Sequence, residues 1–305
     1  MALPAGPPTR RRAASSWADQ HIQYLLVAPA ILLILAVTLY PLGYSVWVAF
    51  VNYDAQIPGH TWVGLDNFKA IVQDPVAQQA MIHTVWLAGS AVALELILGL
   101  LLALAMLRPF VGRRWLITII VLPLFMAPVI VGQFWALLVT EPYGPLNWLI
   151  SQVVGHSVHV NWTTATPWNY VAIILADTWQ WTPFMFVIIL AGLSSIPDEL
   201  YEAADLDGAR PLRSFFWVTL PLLTPIIILA VMFRLLDAVK LFDVIYVLTG
   251  GGPGTDTYTA SFYLYQQGYQ LFHLGPATAG AWMFLLMITI VASFLVRRLL
   301  KPQLA

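Results

Sequence analysis

Two clusters of ionisable side chains stand out in a chain that is otherwise poor in charge. Five carboxylates, Asp198, Glu199, Glu202, Asp205 and Asp207, crowd one short stretch, and Arg234, Asp237, Lys240 and Asp243 recur at every third position of an apolar one. Neither pattern is that of a catalytic centre. There is no metal-ligand cluster, no nucleophile motif and no pair of acids placed in a plausible loop. The chain has no cysteine, which removes disulfides, thiolate metal sites and a cysteine nucleophile. The stretch Gly250 to Gly254 is rich in glycine but lacks the Lys-Ser/Thr that completes a phosphate loop, so it is not a nucleotide site.

The first cluster lies in a segment that predicts a short helix with its own start and stop signals. Ser194 or Ser195 can cap it, Pro197 suits a first helical position, and Asp198 and Glu199 face the positive end of the helix dipole. Gly208 permits the left-handed turn that ends it, and Leu200, Ala203, Ala204 and Leu206 give it a small apolar side. On composition alone, this is equally a solvated connector.

The second cluster sits where charge is costly. Ionisable groups inside a bilayer cost about 2.5 to 3.5 kcal/mol each on insertion scales and commonly line a watery path. Spacing of three places Arg234, Asp237, Lys240 and Asp243 on one face of a continued helix. Two readings follow: a ladder of ion pairs that neutralises itself, or a face turned toward a solute cavity. Glu95 and Asp177 are single acids in other apolar runs, each an interhelical hydrogen-bonding group or part of a cavity wall.

The elements that position these groups are membrane spans. The 305-residue chain is 60% hydrophobic and 10% charged, whereas soluble domains carry about 25% charged residues. Nearly charge-free runs fall at Ile22 to Tyr53, Thr84 to Leu107, Trp115 to Thr140, Trp168 to Pro197, Ser214 to Phe233 and Leu274 to Val296. Each reaches the roughly 20 residues that a helix needs to cross a bilayer. Continuous apolarity predicts helices, since barrel strands alternate. The fold class is therefore an all-α membrane protein of six transmembrane helices. A tail of residues 1–21 precedes a transmembrane domain of residues 22–300, and residues 301–305 form a second tail.

Basic residues set the orientation. Arg10, Arg11, Arg12, Arg108, Arg113, Arg114, Arg210, Arg213, Arg297, Arg298 and Lys301 fall at alternate ends of the spans, which predicts both termini and the loop 194–213 in the cytoplasm. The first run is too long for a signal-peptide core and is read as a retained span that Pro29 and Pro41 bend. The outer loops are rich in aromatics, among them Trp148, Trp162, Tyr258, Tyr263 and Tyr265, as a headgroup belt or as a docking face. A net charge of -1 without a clustered basic surface argues against nucleic acid as a partner.

The loop carries more than composition. Glu202-Ala203-Ala204, three residues, Gly208, nine residues, Val218, one residue and Leu220-Pro221 resemble the signature of binding-protein-dependent ABC importer permeases, with Val218 the one departure, where the family has Ile. Trp62-Val-Gly-Leu-Asp-Asn-Phe68 and Leu248-Thr-Gly-Gly-Gly-Pro253 are similar to the sugar branch of that family, of the maltose and glycerol-phosphate type. Within it the chain looks most like the first permease subunit of a trehalose importer.

That resemblance implies a multi-pass subunit of the bacterial cell membrane. Its partners would be a second permease subunit, two ATPase subunits that bind ATP and Mg, and an extracytoplasmic binding protein or lipoprotein, with no cofactor and no ATPase site in this chain. The loop helix would seat in a cleft on the ATPase, with Glu202 pairing with basic groups there, Ala203 and Ala204 allowing close approach, and Gly208 as the pivot. Sugar would meet the positions of Trp179, Trp181, Phe184, Arg234, Asp237, Ala238 and Leu241. The competing function is an ion-coupled secondary transporter using Glu95, Asp177 and Asp237, which leaves the loop motif unexplained.

Overall fold

The computed structural model describes residues 12–141 and 144–300. Arg10, Arg11 and Lys301 lie outside the described residues, as do the ends of both tails. Thirteen α-helices are described, and the strands form one small ribbon. Helix α1 (Arg12–Ala49) has Pro29 and Pro41 inside it and leads into the antiparallel ribbon of β1 (Val51–Asn52) and β2 (Thr61–Trp62). Helices α2 (Asp66–Gln73) and α3 (Pro75–Ala105) follow.

Five helices are long and apolar enough to cross a membrane, and a sixth span exists if a bent pair counts as one. That pair corrects the expectation of a continuous third helix. Helix α4 (Arg113–Val121), its 3-10 extension (Leu122–Phe125) and α5 (Pro128–Val139) meet at 104°. Prolines cause the break. Pro128 has no N–H and disfavours helical geometry in the residue before it, and Met126 and Ala127 are both extended, with ψ of 140° and 138°. Broken backbone at membrane depth must be satisfied by protein. Gln180 answers this by donating from Nε2 to the Met126 carbonyl at 3.0 Å.

Helices α6 (Pro145–Val154) and α7 (Trp168–Ser194) come next, then α8 (Asp198–Leu206) and the fifth span. That span is built from α9 (Pro211–Ser214), a wide π turn (Phe215–Thr219) and α10 (Leu220–Ala238). Pro221 and Pro225, which lack N–H groups, lie just after the π turn. Helix α11 (Asp243–Leu248), α12 (Ala260–Tyr265) with a second π turn (Gln266–Gln270), and α13 (Leu274–Leu300) complete the chain.

The centre of the molecule is α7, packed most extensively on α3 and then on α10. Small residues let these helices close. At Gly99, an added Cβ would sit 2.6 Å from Cβ of Met185 and 2.9 Å from the Phe186 backbone nitrogen. By contrast, the most apolar window of α1 is unburied within this chain, leaving its side chains to lipid or to another subunit. Along α7 the buried residues divide into two apolar clusters, one holding Ala172 to Ala176 and the other Met185 to Leu193. Asp177, Gln180 and Trp181 fall between them.

The segments that connect the spans have their own polar anchors. Buried Asn67 donates to the carbonyls of Ala49 and Val51, both at 2.9 Å, closing the end of α1 onto α2, while Phe50 stacks on Trp62 and packs on Phe68. This gives the Trp62 to Phe68 segment a structural purpose. Trp162 is buried and donates to Asn147 at 2.7 Å. Buried Tyr263 donates to Asp74 at 2.6 Å, and burial, followed by this contact, pushes its phenol well above the ordinary tyrosine range. These two aromatics are therefore loop core, whereas Trp148 is exposed.

Candidate functional site

The four charges expected on one helix face do not share a helix: Arg234 and Asp237 lie on α10, Lys240 in the break that follows it and Asp243 on α11. Helix α10 ends at Ala238, and Asp243 stands in the first turn of α11. The carbonyl of Leu241 in the intervening break accepts from Thr259 at 2.8 Å. Of the sequential pairs, Arg234 with Asp237 closes to 3.2 Å and Lys240 with Asp237 only to 4.0 Å.

Arg234 instead reaches across the bundle. Its Nε lies 2.8 Å from Oε2 of Glu95 on α3, and its Nη2 lies 2.9 Å from the other oxygen of the same carboxylate. The same Nη2 donates to Asp177 on α7. The Arg234 carbon Cζ stands 4.8 Å from the ring centroid of Trp181, a cation–π distance. All three charged partners of this core are buried: Arg234 at 2%, Glu95 at 0% and Asp177 at 3% exposure. One guanidinium thus ties three membrane helices together: its Nη2 donates to Glu95 Oε1 and to Asp177 Oδ2, while Nε and Glu95 Oε2 meet at ion-pair distance without hydrogen-bond geometry. Its charge offsets carboxylates whose isolated burial would be prohibitive.

Beside this knot is a cavity of about 100 Å³ lined by Pro128, Asp177, Gln180, Trp181, Arg234, Asp237, Leu241, Phe242, Asp243 and Val244. Asp237 keeps nearly half of its side chain exposed there. Four of the sequence candidates, Trp181, Arg234, Asp237 and Leu241, therefore share one wall. The others do not line it. Trp179 stacks on Phe134 of α5 with centroids 5.5 Å apart, Phe184 packs on the second apolar cluster and edge-on against Trp181, and Ala238 is buried within that cluster. Sequence reasoning left the role of Glu95 and Asp177 open and did not single out Gln180 or Phe242. The isolated acids at 95 and 177 were a signal for an unpaired partner on a third helix.

At the other candidate site, α8 carries Glu202 and Ala203 on its exposed surface and Ala204 half-buried. No serine side chain caps it; Pro197 occupies the cap position in extended conformation, and Asp198 and Glu199 fill the first turn. Gly208 has φ of 73°, the left-handed conformation expected of it. Ala209 N–H then bonds back to the Ala204 carbonyl at 2.9 Å, completing the helix end. The apolar side is bare: Leu206 is 91% and Leu200 41% exposed. On its inner side, α8 is tied to the fifth span by Tyr201 Oη and Thr219 Oγ1, 3.2 Å apart at the end of the π turn.

A model of the family described as binding-protein-dependent transport system inner membrane component matches residues 95–302. The chain belongs to that family. As a permease it is 35% identical over 276 residues to the trehalose/maltose transport system permease protein MalF of Thermococcus litoralis, covering 90% of this chain and 92% of the relative. It is 34% identical to the trehalose transport system permease protein SugA of Mycobacterium tuberculosis H37Rv, over 88% of this chain and 85% of that one. Among solved structures, the permease resembles a chain of a bacterial alginate ABC transporter in complex with an alginate pentasaccharide-bound periplasmic protein, with a TM-score of 0.78, 25% identity, and coverage of 94% and 98%.

Proposed function

We propose that this permease forms, with a second permease subunit, the pathway by which a bacterial cell membrane imports a sugar, a disaccharide of the trehalose type. Two separate ATPase subunits, binding ATP and Mg, supply the energy through the α8 helix, and an extracytoplasmic binding protein delivers the solute. The observation that carries this reading is the wall shared by Trp181, Arg234, Asp237 and Leu241: an aromatic ring beside charged acceptors, at the point where three spanning helices are tied together. Aromatic faces pack on the C–H faces of sugar rings while carboxylates accept from hydroxyls. The relatives named for trehalose and maltose transport support the same class of solute.

An ion-coupled carrier needs acids free to take up and release an ion. Glu95 and Asp177 are both engaged by Arg234. The test is reconstitution with the second permease, the ATPase pair and the binding protein in liposomes, followed by uptake of labelled trehalose. ATP-dependent accumulation without an imposed proton or sodium gradient supports the importer, and accumulation that needs a gradient and ignores ATP contradicts it.

A further inference from the structure

The cavity beside Arg234 has a sign as well as a shape. Three carboxylates, Asp177, Asp237 and Asp243, line it against one guanidinium, with Glu95 directly behind. That guanidinium is committed to Glu95, Asp177 and Asp237 and lies against Trp181. Lys240, the nearest other cation, does not line the cavity; its side chain is 65% exposed and 4.0 Å from Asp237. A second and independent feature points the same way. Gln180 lines the cavity at 2% exposure, its amide nitrogen is used by the Met126 carbonyl, and its Oε1 accepts no hydrogen bond among the described residues. Gln180 Oε1 is thus an unpartnered acceptor on a wall that also carries the carboxylates of Asp237 and Asp243, and the adjoining Trp181 ring presents a π face that also repels anions.

We infer that this cavity is a charge-selective subsite. It accepts hydrogen bonds from the hydroxyls of a neutral sugar at Gln180, Asp237 and Asp243, and it turns away sugars that carry a carboxylate, sulfonate or phosphate. The inference rests on the sugar-import reading and adds to it the class of sugar that passes. In a site of low effective dielectric, like charges a few ångströms apart weaken binding by roughly tenfold or more.

Saturation-transfer NMR on the assembled complex in nanodiscs, without the binding protein, tests this with trehalose, trehalose 6-phosphate and a glucuronic-acid-containing disaccharide as probes. Trehalose should bind at least about tenfold more tightly than either anion, and the gap should shrink as salt rises from low to high ionic strength, since screening weakens the repulsion. The double variant Asp237→Asn, Asp243→Asn should close much of the gap. Equal binding of the anions, or a gap unmoved by both salt and the double variant, overturns the charge filter while leaving sugar import standing. Binding of none of the three sugars overturns both.

Discussion

The Nε of Arg234 lies 2.8 Å from Oε2 of Glu95, although 139 residues separate them in the chain. With Asp177 on the same guanidinium, the pair fixes α3, α7 and α10 at one level of the bundle. Two buried acids and one buried base make an uneven set, and the imbalance has consequences for mutation.

Arg234→Ala leaves Glu95 and Asp177 buried without their cation and should destabilise the permease by about 3 to 5 kcal/mol. Glu95→Gln leaves Arg234 and Asp177 as a balanced pair and should cost clearly less. Thermal unfolding of the detergent-solubilised chain compares them, and equal losses contradict the charge accounting. Asp237→Asn, at a half-exposed position, should spare stability and impair uptake.

The close approach of α3 and α7 depends on Gly99. Gly99→Val places atoms where Met185 and Phe186 already stand, and overpacking of this kind costs about 1 to 3 kcal/mol. Gly43→Ala on α1, where an added Cβ meets nothing within 4 Å, is the control. A thermal midpoint lowered by the first and unchanged by the second is expected; no loss at Gly99 contradicts the packing described.

Most of the spans were legible because bilayer crossing demands long apolar runs, and the left-handed turn at Gly208 was legible because few other residues adopt it. What the sequence hid was three-dimensional. The break at Met126 and Ala127 lies inside an apolar run, and only its prolines hinted at it. Spacing put Arg234, Asp237, Lys240 and Asp243 on one helix face, because local periodicity sees only neighbours on one helix. The partners that matter more, Glu95 and Asp177, come from helices brought in by the fold. Likewise Ala238 and Phe184 share register with cavity positions yet are turned into apolar packing.

Tyr201 joins α8 to the fifth span through Thr219. Tyr201→Phe removes the hydrogen bond and keeps the ring, so stability should change by about 1 kcal/mol or less. Motion of α8 should reach the span less faithfully. The expected result is more ATP hydrolysed per sugar transported, read as the ratio of the two rates in proteoliposomes; an unchanged ratio removes this contact from the coupling route.

The proposed route from ATP hydrolysis to the permease runs through α8. Glu202 is exposed on that helix, beside leucines that nothing in this chain covers. Removing one partner of an interfacial charge pair that binding buries costs about 2 to 5 kcal/mol. Gly208→Val, by forcing a branched side chain into φ of 73°, should disturb the same helix end. The deciding measurement is ATP hydrolysis stimulated by sugar-loaded binding protein in the reconstituted complex. Glu202→Ala and Gly208→Val should each abolish most of the stimulation while the binding protein still docks. Stimulation and uptake at wild-type rates in both variants would contradict the assignment.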